Sequence, residues 1–209
     1  MPRTRIKICG VRDLKTAEVA ADAGADAIGL DFRPGASSHV EPHMAADILA
    51  ALPPMTTAVA VYADPTLDDF LDTEAVCPAP YSQLHGKEKN NLVRRIGPDA
   101  IKTVRYDAST IDADLRHWAG IEEVSAVLVE APNGTDWESL APKLSRSIAL
   151  SQARVILAGQ LTPDNVAGVI KAARPWGVSV SRGVESAGAK DPARIREFCK
   201  AVLTADAGR

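Results

Sequence analysis

The sequence RIKICGVRDLKTAEVAADAGADAIGLDF, residues 5–32, contains one complete strand–helix–strand pattern. Its first and last segments, IKIC and AIGLDF, are short apolar runs typical of buried strands. The Ala-rich amphipathic stretch between them, residues 13–24, is typical of a helix that ends at Gly24. Two apolar strands joined by one helix form a parallel βαβ unit, so this stretch indicates an α/β fold.

The same pattern recurs along the whole chain. The strand-like runs are apolar throughout rather than alternating, which is typical of parallel strands covered by helices. We predict eight strands, at residues 6–9, 27–32, 57–62, 81–85, 101–106, 126–130, 155–159 and 178–181. We predict eight helices, at residues 13–24, 45–52, 66–74, 88–97, 110–120, 136–144, 162–174 and 192–203. Thr162 and Asp191 are expected to cap the last two helices, because each precedes a proline that suits the first helical position.

Strict alternation of eight strands and eight helices predicts a single-domain (β/α)8 TIM barrel over residues 1–209. The alternative is an open doubly wound sheet. That fold normally carries a GxGxxG turn after its first strand, and this sequence has none.

Composition and charge exclude several classes of protein. Apolar residues make up 46% of the chain and charged residues 24%, as in ordinary globular proteins. The net charge of −3 argues against a nucleic-acid partner. No apolar run reaches the ~18–20 residues that span a bilayer, and MPRTRIKICG lacks the apolar core of a signal peptide, so we expect a cytoplasmic protein without membrane contact. Cys9, Cys77 and Cys199 form no CxxC pair, so we expect neither a metal site nor a disulfide framework.

The active site of such a barrel lies where the strands end, at their carboxyl side. The residues at the predicted strand ends are Cys9, Gly10, Asp31, Phe32, Tyr62, Asp64, Gln83, His85, Arg105, Glu130, Gly159, Gln160, Ser181, Arg182 and Gly183. A thiol, several carboxylates and two glycine-containing turns are therefore expected on one face of the barrel.

The two turns follow the seventh and eighth strands. One contains Gly159 and Gln160, and the other contains Ser181, Arg182 and Gly183. Backbone amides at these two places of a barrel commonly bind phosphate, so we predict a phosphate site there. The alternative is that the glycines only permit tight turns.

Six motifs occur in order along nearly the whole chain. They are KICG (7–10), AGADAIGLDF (23–32), SQLHG (82–86) with Glu88, DW (136–137), LAGQLTPDNV (157–166) and SRGVESAGAKD (181–191). Together they resemble the phosphoribosylanthranilate isomerase family of tryptophan biosynthesis. The resemblance implies a (β/α)8 barrel that acts without a cofactor on a small phosphosugar–anthranilate substrate, and we expect a monomer. The reaction it implies is the Amadori rearrangement of N-(5-phosphoribosyl)anthranilate to 1-(o-carboxyphenylamino)-1-deoxyribulose 5-phosphate.

The resemblance also implies the two catalytic residues. The cysteine of KICG, here Cys9, is the general base that removes the C2 proton. The general acid of the family is an aspartate at the end of the sixth strand, and here Glu130 occupies that position in VLVE. The alternatives are a structural thiol buried in the core and a solvated loop carboxylate. Asp136 is a second candidate for the acid, although DW places it at the start of the sixth helix.

The predicted substrate-binding residues are Lys7, Arg33, Ser38, His39, Gln83 and His85. Here the chain departs from the family, because Ser38 occupies the position of the arginine that binds the anthranilate carboxylate. Arg33, or His39 when protonated, could replace that arginine. Gln160 and Arg182 also replace small family residues in the phosphate turns, and the loop PNGTDW (132–137) is shorter and has fewer glycines.

The lost arginine leaves two other functions open. One is a related barrel isomerase or lyase that acts on a different phosphosugar. The other is a phosphosugar-binding protein without catalytic activity, against which the retained Cys9 argues.

Overall fold

The structure, a computed structural model, describes residues 3–208. Eight parallel strands form a closed barrel in chain order, and β1 pairs with β8 to close it. The strands are β1 (Arg5–Cys9), β2 (Ala27–Asp31), β3 (Thr57–Tyr62), β4 (Tyr81–Leu84), β5 (Ala100–Arg105), β6 (Val124–Glu130), β7 (Val155–Ala158) and β8 (Gly177–Val180). A short antiparallel pair, β9 (Glu185–Ser186) and β10 (Ala189–Lys190), follows β8.

One helix follows each barrel strand. The helices are α1 (Leu14–Asp22), α2 (Pro42–Ala51), α3 (Leu67–Val76), α4 (Asn90–Ile96), α5 (Ile111–Ala119), α6 (Trp137–Ser151), α7 (Val166–Ala173) and α8 (Pro192–Ala207). This architecture confirms the predicted (β/α)8 barrel. Residues 1, 2 and 209 of the predicted domain lie outside the described residues.

The helix boundaries differ from the prediction most at α6, which continues to Ser151 rather than ending at residue 144, and at α7. Helix α7 begins at Val166 rather than at Thr162, and residues 163–165 before it form a turn in which Asn165 Oδ1 accepts a hydrogen bond from the Thr162 amide. The predicted cap of α8 is confirmed, since the carboxylate of Asp191 accepts hydrogen bonds from the amides of Ala193 and Arg194.

Side chains of β1 point alternately to the layer between strands and helices and to the interior of the barrel, as strand geometry requires. Ile6 and Ile8 are fully buried in the outer core between strands and helices. Lys7 and Cys9 lie on the other side of the strand, toward the barrel interior. The apolar part of the interior is filled by Val59, Ile101, Ala126, Leu128, Ile156 and Ala158. The sequence position of Cys9 therefore places its thiol at the mouth of the barrel.

A buried ion pair joins Lys102 of β5 to Glu88 in the loop after β4. Lys102 Nζ lies 2.7 Å from Glu88 Oε2 and 2.8 Å from the carbonyl oxygen of Gly86. The other carboxylate oxygen of Glu88 accepts hydrogen bonds from the amides of Asp64 and Gly86. Burial would raise the pKa of Glu88, but the hydrogen bonds from Lys102 and the amide of Asp64 outweigh it and lower that pKa.

We expect Lys102→Met to lower the free energy of unfolding by about 3–5 kcal/mol, because it leaves the buried charge of Glu88 without its cation. Urea denaturation measures this loss. The double variant Lys102→Met/Glu88→Gln removes both charges and should recover part of the loss. A single variant as stable as wild type would contradict the prediction.

Between residues 3 and 208, no helix is both long enough and apolar enough to cross a membrane.

Candidate active site

A cavity of about 400 Å³ opens at the carboxyl end of the barrel strands. This volume lies within the usual range of small-molecule sites, ~300–1,000 Å³. The predicted site residues that line it are Cys9, Arg33, Ser38, Gln83, His85, Glu130, Gly159, Gln160, Ser181, Arg182 and Gly183. Lys7 and His39 do not belong to the lining.

Cys9 differs from the other two cysteines in its surroundings. Cys77 and Cys199 are fully buried, and burial raises their thiol pKa to about 11 and about 12 respectively. Cys9 is partly exposed and lines the cavity. A Cβ on Gly29 of the neighbouring strand would lie 2.7 Å from Cys9 Sγ, so glycine at that position leaves room for the thiol. Cys9 is therefore the cysteine that a ligand in the cavity can reach.

Glu130 ends β6 and is held by His85. The distance between His85 Nε2 and Glu130 Oε2 is 3.3 Å, and the Glu130 side chain is 33% exposed. The hydrogen bond from His85 lowers the pKa of Glu130, and the charges of protonated His85, Arg105 and Arg33 act in the same direction, although burial opposes them. The carboxylate is consequently ionised at neutral pH when no ligand is bound.

Lys7 lies beneath the cavity, where it binds Gln83, which lines the cavity. Lys7 Nζ donates to Gln83 Oε1 at 2.8 Å. Gln83 Nε2 donates to Thr103 Oγ1 at 3.1 Å and lies 3.4 Å from His85 Nδ1. A chain of polar contacts thus runs from Lys7 to Glu130, and the role of Lys7 as a direct substrate contact stays a prediction.

Arg33 is fixed at the edge of the cavity by Asp31. Its Nε and Nη2 donate to the two carboxylate oxygens of Asp31 at 2.8 and 2.7 Å, and Ser38 Oγ donates to the same carboxylate at 2.6 Å. Burial would raise the pKa of Asp31, but the hydrogen bonds from Arg33 and Ser38 outweigh it and lower that pKa. The sequence did not predict this ion pair between Arg33 and Asp31, because Asp31 stood out there only as one of many strand-end residues. A carboxylate at a strand end with an arginine two residues later is the signal that could have found it.

His39 lies beside the end of β2 but outside the cavity lining. Its backbone forms a bridge with Asp31, and its Nε2 lies 3.4 Å from Glu41 Oε1. Residues 37 and 38 form a turn before it, and Ser38 rather than His39 lines the cavity. Contact between His39 and a substrate is therefore not supported by this geometry.

Asp136 caps α6 rather than lining the cavity. Its carboxylate accepts hydrogen bonds from the amide of Glu138 and the hydroxyl of Ser139. This position removes Asp136 as the second candidate for the acid.

The turns after β7 and β8 bring the backbone close to neighbouring segments. Gly159 has φ +91°, and a Cβ there would overlap the carbonyl oxygen of Ala131. A Cβ on Gly183 would overlap the carbonyl oxygen of Leu161. Arg182 is exposed and makes no salt bridge with any residue in the described range 3–208. Its guanidinium is available to an anion at these turns.

Gly183→Ala tests this close approach. Because the new methyl group would overlap backbone, we expect the free energy of unfolding to fall by ~3 kcal/mol or more. Gly168→Ala in α7 is the matched control, since no atom lies within 4 Å of its added Cβ. The control should be stabilised by roughly 0.5–1 kcal/mol, because alanine favours helix. Equal stability of the two variants in urea denaturation would contradict the expected packing.

Within residues 3–208, no group of three or more His, Cys, Asp and Glu residues is arranged to hold a metal ion.

Known proteins are similar to this chain in sequence and fold. The model of the N-(5'-phosphoribosyl)anthranilate isomerase family matches residues 6–201. The enzyme of this name from Desulforudis audaxviator is 39% identical over 94% of this chain and 97% of its own length, and that from Geobacter sulfurreducens is 38% identical over the same shares. The crystal structure of phosphoribosylanthranilate isomerase from Thermotoga maritima has a TM-score of 0.84 at 29% identity, over 96% of this chain and 99% of that one. A further structure of this isomerase, in complex with reduced 1-(o-carboxyphenylamino)-1-deoxyribulose 5-phosphate, has a TM-score of 0.82 at 31% identity, over the same shares.

Proposed function

The chain belongs to the N-(5'-phosphoribosyl)anthranilate isomerase family, and from this premise we propose that Cys9 is its general base and Glu130 its general acid. The protein is an isomerase of tryptophan biosynthesis that rearranges N-(5'-phosphoribosyl)anthranilate. One observation carries the proposal for the residues: a reachable thiol and a carboxyl group line the same cavity, on either side of two turns that suit a phosphate.

The reaction needs two proton transfers. Glu130 donates a proton to the furanose ring oxygen, which opens the ring and leaves a protonated Schiff base. The Cys9 thiolate then removes the proton from C2, and the electrons of that bond form the enolamine. Tautomerisation of the enolamine gives the ketone product. Acid and base groups that are positioned for such steps each contribute roughly 100- to 10,000-fold to the rate.

Glu130 must carry a proton before the ring opens. Its pKa is lowered in the ligand-free protein, so few molecules carry that proton at neutral pH. The substrate brings a phosphate and a carboxylate into the cavity, and nearby like charges favour the protonated form of a carboxyl group. Substrate binding therefore promotes the protonation that the first step requires.

The two anionic ends of the substrate bind at different parts of the mouth. We place the phosphate at the turns with Gly159, Gln160, Ser181, Arg182 and Gly183, and the anthranilate carboxylate at Arg33. Arg33 suits this role because Asp31 engages only its Nε and Nη2, so Nη1 takes no part in that pairing. The ion pair thus orients the guanidinium without occupying it fully.

Arg33→Ala should raise KM about 10- to 100-fold and change kcat little, because a hydrogen bond to a charged group is worth ~1.5–3 kcal/mol and is made in both ground and transition states. Steady-state kinetics measure the change. Arg12→Ala is the control, since Arg12 contacts the same loop through the Ser37 carbonyl oxygen but does not line the cavity. An unchanged KM in Arg33→Ala would remove Arg33 from the carboxylate site.

Complementation tests the proposal in cells. The gene for this chain should restore growth without tryptophan to an auxotroph that lacks the isomerase, and a gene with Cys9→Ala should not. Rescue by the Cys9→Ala gene would show that another group is the base. For the assembly and its place in the cell we propose a monomer in the cytoplasm, which sedimentation and fractionation would test.

A further inference from the structure

We propose that Gln83 is a positioning residue that fixes His85 in the tautomer with its proton on Nε2, and so sets the hydrogen bond that Glu130 receives. The proposal rests on the function proposed for Glu130. It assigns Gln83 a role through His85 rather than in contact with the substrate.

The orientation of the Gln83 amide follows from its neighbours. Lys7 Nζ lies 2.8 Å from one amide atom, and a lysine ammonium only donates hydrogen bonds. That atom is therefore the oxygen, and the atom near Thr103 and His85 is the nitrogen. Gln83 and Lys7 are both buried, with 2% and 4% exposure, so water does not compete for these contacts.

The amide nitrogen then determines the state of the imidazole. Its two hydrogens point to Thr103 Oγ1 at 3.1 Å and to His85 Nδ1 at 3.4 Å. Because an amide nitrogen cannot accept a hydrogen bond, His85 Nδ1 must be the acceptor and carries no proton. The proton of the neutral ring is consequently on Nε2, 3.3 Å from Glu130 Oε2.

This arrangement protects the acid from losing its proton to the ring. A second proton on Nδ1 would face the amide hydrogens of Gln83, so the amide disfavours an imidazolium beside Glu130. A neutral Nε2–H still holds one carboxyl oxygen of Glu130 and leaves the other free to donate to the substrate. Both amide hydrogens of Gln83 are used within the protein, so neither remains for the substrate.

Other charged groups surround this pair. Arg33 from the loop after β2 and Arg105 at the end of β5 both lower the pKa of Glu130 through their charges. Lys7 approaches from β1, and the Lys102–Glu88 pair lies in the adjoining cavity that His85 also lines. These charges remain in every variant below, and Gln83→Glu adds one carboxylate, which pairs with the imidazolium that it induces.

The experiment reads the tautomer directly by 15N NMR of the whole protein. The ring signals of His85 are assigned by their loss in His85→Asn. In wild type we expect a proton on Nε2 and none on Nδ1. In Gln83→Glu the new carboxylate accepts from Nδ1, so we expect both nitrogens to be protonated at neutral pH.

Two further readouts separate positioning from a structural role. In Gln83→Glu the imidazolium should lower the pKa of the Glu130 carboxyl, followed by 13C NMR, by at least ~1 unit, and kcat at neutral pH should fall about tenfold or more. Thr103→Val is the matched control: it removes the other partner of the amide nitrogen, and the His85 tautomer should persist.

A wild-type spectrum with the proton on Nδ1 would overturn the inference, even if Gln83→Glu does not fold. So would a Gln83→Glu protein in which neither the ring nor Glu130 changes. Failure of the proposed function looks different: Glu130→Gln would stay active while the His85 tautomer remained as stated.

Discussion

Replacement of Cys9 by alanine should lower kcat by about 100- to 10,000-fold, the usual contribution of a general acid or base. The thiol lines the cavity and a methyl group cannot accept the C2 proton, so the rearrangement stops at the Schiff base. KM should change little, because the phosphate and carboxylate contacts do not involve this residue. Steady-state assays with the purified variant measure both constants.

Cys199→Ala is the matched control for this experiment. Cys199 is fully buried in α8, away from the cavity, and burial raises its thiol pKa to about 12. Its removal should cost stability but leave kcat near the wild-type value. Comparable kcat in Cys9→Ala and wild type would show that the thiol is not the base.

Glu130→Gln should also lower kcat by about 100- to 10,000-fold, because an amide cannot deliver a proton to the ring oxygen. Glutamine keeps the size of the side chain and can still contact His85, so the loss would report the missing acid rather than a collapsed site. Kinetics of the purified variant, with its thermal unfolding as a check on the fold, provide the measurement.

Glu130→Asp tests whether a carboxyl group at this position is enough for activity. Aspartate is the residue that the family resemblance places at this strand end. It keeps a carboxyl group but shortens the side chain by one methylene. Misplacement of a reacting group by ~1 Å can cost about 100-fold in rate. We therefore expect Glu130→Asp to retain more activity than Glu130→Gln, and the reverse order would contradict an acid at this position.

The barrel was predictable because its determinants are local. Apolar runs such as IKIC and VLVE locate the strands, and the last residue of each run, Cys9 and Glu130, then lies at the mouth by strand geometry alone. The start of α7 was not predictable from Thr162–Pro163, because these residue types suit both the first turn of a helix and the separate turn that residues 163–165 form.

The details of the site depend on contacts between distant segments. Whether Ser38 or His39 faces the cavity is set by the path of the loop after β2, which carries no periodic signal. The pairing of His85 with Glu130 joins the residue after β4 to the last residue of β6, and these two strands are not neighbours in the barrel. Their residue types suggested chemistry in the sequence, but only the closed barrel brings them together.

A crystal structure of this protein with the reduced product analogue tests the central claim most directly. We expect Cys9 Sγ beside C2 of the ligand, and Glu130 within hydrogen-bond reach, ~2.6–3.2 Å, of the C4 hydroxyl that derives from the ring oxygen. The phosphoryl group should contact the turns with Gly159 and Gly183. A ligand bound with C2 turned away from the thiol, or with its phosphate elsewhere, would contradict the proposed roles of both residues.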